Sequence, residues 1–251
     1  MTPPDERSPA EGRDLEELLA AWPFEPGRVN VRRVGEGPEA PIQVRIELGI
    51  LQFRASGRPD GQRPEGHASL VGLFRSAVAA DPGRRLSPEE CAALRDEANQ
   101  FHQRSLALLA LGEFGGVERD TLEILAALDL CRDLAADPAD RAALERFRGP
   151  ALVMLARARA TAAVRAGHPR LAVAAIDHGL GEIRAMMAAR GEGDRFDAAN
   201  EVQLLRGMRE MLVPKLPTGQ RSELEERLRA AIRAENYELA AILRDELRQM
   251  P

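Results

Sequence analysis

The chain has little of what most recognisable sites are built from. Cys91 and Cys131 are its only cysteines in 251 residues, and both sit in helical patterns. That excludes a disulfide-stapled secreted scaffold and any CxxC zinc site, and it reads as two buried thiols kept reduced in the cytosol. Aromatics make up 4%, with one Trp and one Tyr, too few for the stacked rings that grip single-stranded nucleic acid. No apolar run approaches the ~20 residues needed to span a bilayer. The opening "MTPPDERSPAEGRDLEE" is acidic and lacks the hydrophobic stretch of a signal peptide. Lysine is almost missing, with Lys215 alone among 35 basic residues, and the net charge is −5. That balance disfavours nucleic acid and excludes an anionic membrane as partners of a basic surface. The expected location is cytoplasmic.

Catalytic patterns are equally scarce. His67, His102, His168 and His178 show no i,i+4 pair and no acidic partner at metal-ligand spacing, so no metal site is assigned. Nothing fits G-x-x-x-x-G-K-[ST], and the G-x-G of "GEGPEA" opens no helix, so no nucleotide or other cofactor is assigned. Ser56 and Ser76 lack the G-x-S-x-G elbow. Adjacent acids such as Glu89-Glu90 and Glu225-Glu226 do not face one another on a helix and read as solvated faces. No catalytic residue is assigned.

What is present is an architecture, mainly α. Residues 1–27 read as a disordered tail and a short helix, "LEELLAAW", capped by Asp14 and stopped by Pro23, with Leu15, Leu18, Leu19 and Trp22 spaced to pack on something. Residues 28–80 hold a β-hairpin element: "VNVRRV" and "IQVRIEL" alternate with period two around a Gly-rich loop. After Leu48 the phase shifts, with Leu51, Phe53 and Ala55 at odd positions, which predicts a bulge or bend at Gly49. Gln43, Arg45 and Glu47 share the polar face of the second strand. The loop "SGRPDGQRPEG" (56–66) follows, then a helix near 68–78. Arg58-Pro59-Asp60-Gly61 suits a type I turn. That accounts for the loop except Arg58 and Arg63, which either bind an anion or tie the loop to acids of the helices.

Residues 84–213 read as helices throughout. "SPEE" (87–90) opens the first as a capping box with Pro88 at the first position, and Gly112 ends it. Others follow near 116–135, 139–166, 169–190 and 195–212, with Pro150 predicting a kink or break at Gly149-Pro150. Two junctions look alike: Gly112, Phe114, Val117, Thr121 and Gly167, Pro169, Ala172, Ile176. A turn glycine followed by a small and a larger residue at helical spacing is the pattern of tetratricopeptide-like hairpins, although the two glycines lie farther apart than one such repeat. The region is expected to form a tetratricopeptide-like antiparallel helical layer. "PKLPTG" marks a linker (214–220).

The last segment, 221–250, carries two helical stripes: Leu224, Leu228 and Ile232, then Ala240, Leu243, Leu247 and Met250, with "AENYE" between them. The leucine spacing, Glu235-Asn236-Tyr237-Glu238, Ala240-Ala241 and Leu243-Arg244-Asp245 resemble the UVR motif, the helical hairpin shared by the UvrB and UvrC excision-repair subunits. The chain as a whole is similar to a group of bacterial UVR-motif proteins. The resemblance implies protein–protein interaction, with Leu224, Leu228, Ile232, Tyr237, Ala240, Leu243 and Leu247 as partner-binding residues. A hairpin this short cannot bury two apolar stripes between its own helices, so it docks on its own domain or pairs with another hairpin. Three functions follow from the sequence. The first is a non-catalytic scaffold or adaptor that binds another protein, or itself, through the hairpin. The second is an accessory factor in DNA repair or nucleoprotein assembly. The third is an enzyme using the Gln43/Arg45/Glu47 face and the Arg58/Arg63 loop, with Asp60 between them.

Overall fold

The structure, a computed structural model, describes residues 15–212, 220–233 and 237–249. Residues 1–14, with Asp14 and the whole tail before it, residues 213–219 of the linker region, the turn residues 234–236 and Met250 lie outside the described residues.

Three short strands form an antiparallel meander in the order β1 (Asn30–Arg33), β2 (Ile42–Ile46), β3 (Gly49–Phe53). The expected hairpin of β1 and β2 is present, and a third strand extends it. Of the bulge or bend predicted at Gly49, the structure has a sharp reversal, a two-residue turn at Glu47-Leu48 between paired Ile46 and Gly49, and no bulge between these two strands. That turn explains the phase shift. Ile42 pairs with Phe53 and Val44 with Leu51, so the even positions of β2 share a face with the odd positions of β3. Ile42 and Phe53 are buried against Ala107, Leu108, Val117 and Ala158 of the helices, with Val31, Val44 and Leu51 packed around them.

The short helix α1 (Glu16–Ala21) buries none of its residues, and Leu15 and Leu18 are exposed. The expected packing of that stripe is therefore only partial. Leu19 and Trp22 are half-buried, and the Arg32 guanidinium stacks 4.0 Å above the Trp22 ring.

Helices α2 (Leu70–Ala80), α3 (Pro88–Leu111), α4 (Phe114–Leu134) and α5 (Pro138–Glu145) enclose one apolar core. Helices α6 (Arg148–Arg165), α7 (Pro169–Ala189) and α8 (Asn200–Leu212) enclose a second. A 3-10 helix, Gly193–Ala198, precedes α8. Local chemistry sets the ends. Ser87 accepts from the Glu90 amide at 3.2 Å while Glu90 accepts from the Ser87 amide at 2.9 Å, the reciprocal cap the sequence predicted. Gly112 and Gly167 both take left-handed φ, +74° and +78°. The amide that follows each reaches back to close the turn, Glu113 onto Leu108 and His168 onto Ala163. Val117, Thr121, Ala172 and Ile176, the residues shared by the two junctions, are all fully buried. The predicted break at Gly149-Pro150 lies earlier, at Arg146-Phe147. Pro150 sits in the first turn of α6, where the missing N–H has no helical partner to lose.

Among the described residues, the Arg104–Asp120 ion pair lies wholly inside this fold. Arg104 and Asp120, both at 0% exposure, are joined by two bonds of 2.7 Å. The same guanidinium donates to the carbonyls of Arg54 and Gly57 at 2.9 and 2.8 Å, so α3 holds the loop after β3 by its backbone. Removing one partner of such a pair costs about 3–5 kcal/mol, because the other charge stays buried.

Candidate interaction site

The glycine-proline loop closes as a turn, with the Gly61 amide on the Arg58 carbonyl at 2.9 Å and the Gln62 amide on Asp60 Oδ1 at 2.9 Å. The Arg58 side chain is largely buried. Its Nε lies 3.1 Å from Asp60 Oδ2 and 3.5 Å from Glu97 Oε1. Its charge therefore meets acids of this chain. Arg63 is exposed and has no ion pair among the described residues. Glu97, itself 1% exposed, also accepts from the Leu70 amide at 2.8 and 3.0 Å, capping α2. Burial pushes the Glu97 carboxyl above its ordinary pKa. The Leu70 amide and Arg58 oppose that shift, and nearby Glu123 adds to it.

Sequence reasoning missed Glu97, Arg104 and Asp120. The signal was available as charge standing inside an apolar stripe: Glu97 lies between Leu94 and Phe101, Arg104 between Phe101 and Leu108, and Asp120 between Val117 and Ile124. A charge at such a position is buried and needs a partner.

The polar strand face is also occupied by its own chain. Arg45 is buried and donates to the carbonyls of Trp22 at 3.0 Å, Glu47 at 3.1 Å, Gly49 at 3.2 Å and Ile46. Gln43 accepts from Arg32 and donates to Gln52 at 2.9 Å, forming a ladder across the three strands. Arg45 thus closes the β2–β3 turn instead of projecting into a groove. Cys91 and Cys131 are buried beside each other, and burial pushes the Cys131 thiol up to about 12, which leaves it protonated and unreactive. Among the described residues no group of three or more His, Cys, Asp or Glu is placed to hold a metal ion.

The C-terminal hairpin has a different character. Helices α9 (Gln220–Arg233) and α10 (Tyr237–Gln249) meet along Ala231, Ala240 and Leu243, with Leu228 and Leu247 packed beside them. All members of this small core belong to the hairpin itself. The structure divides the residues singled out for partner binding. Leu243 is 2% exposed and Ala240 is buried, so both serve the seam. Ile232 is 53% exposed and lies outside it, as does Ile242 at 59%. Leu224 and Tyr237 lie on the two helices, but their side chains fall outside the described residues. The reason for the division is rotational. Each residue turns an α-helix by about 100°, so a stripe stepped by fours drifts, and the inward direction passes between Leu228 and Ala231 and leaves Ile232 outside. The alanines at 231 and 240 let the two helices approach; Ala240 stood in the predicted stripe, whereas Ala231 was not singled out by spacing.

Residues 219–250 match the family described as the UvrB/uvrC motif, UVR. The match covers the hairpin and leaves the sheet and the helical layer unassigned. No curated protein and no solved structure matches the chain.

Proposed function

We propose that this protein is a non-catalytic scaffold or adaptor of the cytoplasm that captures a protein partner, or a second copy of itself, through its UVR hairpin. The observation that carries the reading is the exposure of large apolar side chains outside the hairpin's own seam. With the seam already closed by Ala231, Ala240 and Leu243, Ile232 and Ile242 remain more than half exposed. Isoleucine in such positions is stabilised by burial against another apolar helix, at roughly 1.5–3 kcal/mol for each side chain covered. Two hairpins packed against each other as a four-helix bundle would cover such side chains. Alternating arginine and glutamate along the outer helices would select the partner. The tetratricopeptide-like layer, supported by its two matching glycine junctions, would present the hairpin or hold a further client. The non-catalytic reading is supported by Arg45 and Arg58, which are spent on backbone carbonyls and on acids of the same chain.

The test is capture from a lysate by the full chain, by a chain ending at Val213, and by the Ile232→Glu/Ile242→Glu double variant. The expected outcome is one specific partner, or self-association in sedimentation, that is lost at least tenfold in both altered chains. A partner retained by the shortened chain sinks the reading. An accessory role in DNA repair is the second reading, supported by the UvrB/uvrC motif and opposed by the net charge of −5. Saturable DNA binding that weakens steeply with salt would favour it.

A further inference from the structure

A cavity of about 380 Å³ opens between α3, α4 and the α5–α6 break. Its floor is apolar and buried, formed by Ile124, Leu128, Leu144 and Ala151. Its charged and titratable lining is of one kind, Arg95, Arg146 and His102, with no carboxylate among the lining residues. This contrasts with the open groove of about 450 Å³ along α4, α6 and α7. There Arg75, Arg148 and Arg159 are balanced by Glu123, Asp129 and Glu182. In a chain of net charge −5, an apolar cavity whose polar lining is two arginines, a histidine and the neutral Asn99 and Thr121 is set apart.

The two arginines differ. Arg95 is neutralised by Asp140, 3.0 Å away. Arg146 has no carboxylate partner among the described residues, and its guanidinium lies 4.6 Å above the ring of Phe147, itself 45% exposed at the rim. The helix break at Arg146-Phe147 places this cation at the edge of the apolar floor. Pro150 lines the same cavity from the first turn of α6.

We propose that this cavity binds a small amphipathic carboxylic acid, its compact apolar body on the Ile124–Leu128–Leu144 floor and its carboxylate on Arg146, with His102 and Arg95 beside it. The volume lies at the low end of the range for small-molecule sites, about 300–1,000 Å³, and the mostly apolar wall with a few polar groups at the mouth is their usual composition. An arginine free of internal acids provides the charge-assisted bond that orients the ligand.

The experiment is calorimetric titration of the full chain with octanoate, 1-octanol and octylammonium, which share one apolar body and differ in head charge. Octanoate should bind once per chain and roughly tenfold tighter than octanol, and octylammonium more weakly than either. Arg146→Ala should bring octanoate down to the level of octanol, and Arg146→Lys should restore part of the difference. Ala151→Phe, filling the floor from α6, should abolish binding of both. If that variant does not fold, the Arg146 pair alone decides. No saturable octanoate binding, equal binding of the three probes, or octanoate affinity unchanged in Arg146→Ala overturns the proposal.

Discussion

Glu97 takes a raised pKa while Glu113 and Glu145 take lowered ones. Its side chain is sealed beneath α2, and burial outweighs the Leu70 amide and Arg58 that favour its charge. A carboxyl whose folded pKa exceeds its unfolded one makes the folded state take up the proton more readily. Its contribution to stability is then greatest below the ordinary carboxyl range and declines as pH rises through the folded value. Glu113 and Glu145 have the opposite sign. Glu113, hydrogen-bonded by Arg33, and Glu145, drawn down by Arg148 and Arg190 against its burial, have lowered pKa values. Their contribution is present above the ordinary carboxyl pKa and is lost as pH falls through the lowered folded value. The two windows do not coincide, so Glu97 can be read separately. Glu97→Gln keeps an acceptor for the Leu70 amide and removes the titration. Thermal melts from pH 8 down to pH 5 should show wild type gaining stability relative to the variant as pH falls. A difference between the two chains that does not change with pH would show that Glu97 titrates normally. The sequence exposed Glu97 as a charge inside an apolar stripe. It carried no sign of the Arg58 loop that folds over it, because that contact joins residues of separate elements.

Helices α6 and α7 cross closely at Gly179. A Cβ built on Gly179 would stand 2.6 Å from the Ala156 Cβ, inside any tolerable contact. Elsewhere in a helix, Gly→Ala stabilises by about 1 kcal/mol through propensity. Here the clash is with an atom fixed to the opposite backbone, so the helices must part, at a cost of about 1–3 kcal/mol. Gly179→Ala is therefore expected to lower the midpoint of denaturant unfolding, and adding Ala156→Gly should restore most of it. An additive double variant would show that the two positions do not touch. The ends of these helices were legible before the structure: the Ser87–Glu90 box, Gly112 and Gly167 act within one turn of chain, where sequence and geometry are nearly the same information. The α5–α6 break was misplaced by three residues because Pro150 was judged by type alone. In the first turn of a helix, proline starts what it would interrupt elsewhere. Gly179 itself was not singled out, since a glycine inside a helical pattern reveals its purpose only once the facing helix is known.

On the scale of the molecule, the cores are local. Among the described residues, the hairpin's apolar cluster contains only hairpin residues, and the clusters of the sheet and the layer contain none of them. A chain ending at Val213 should melt within ~3 °C of the full chain, since for a chain of this size about 1 kcal/mol shifts the midpoint by 2–4 °C. A larger loss, with no change of oligomeric state, would mean that the hairpin is packed on the layer. Partner capture and fold stability would then be inseparable.

The sequence by itself determined the elements and their punctuation: strands from period two, helices from period 3.6, turns from glycine and proline, and a UVR hairpin from the spacing of leucines around Ala240-Ala241. These are short-range properties, written in neighbouring residues. Tertiary structure alone decided which charges were to be buried together and which apolar residues stayed outside. Arg45 turned inward to hold a hairpin's carbonyls, Arg58 met Glu97 and Asp60, and Leu243 closed a seam while Ile232 and Ile242 remained exposed. Each of those outcomes depends on what another element brings to within a few ångströms, and spacing along one helix or strand does not encode the neighbour across the gap.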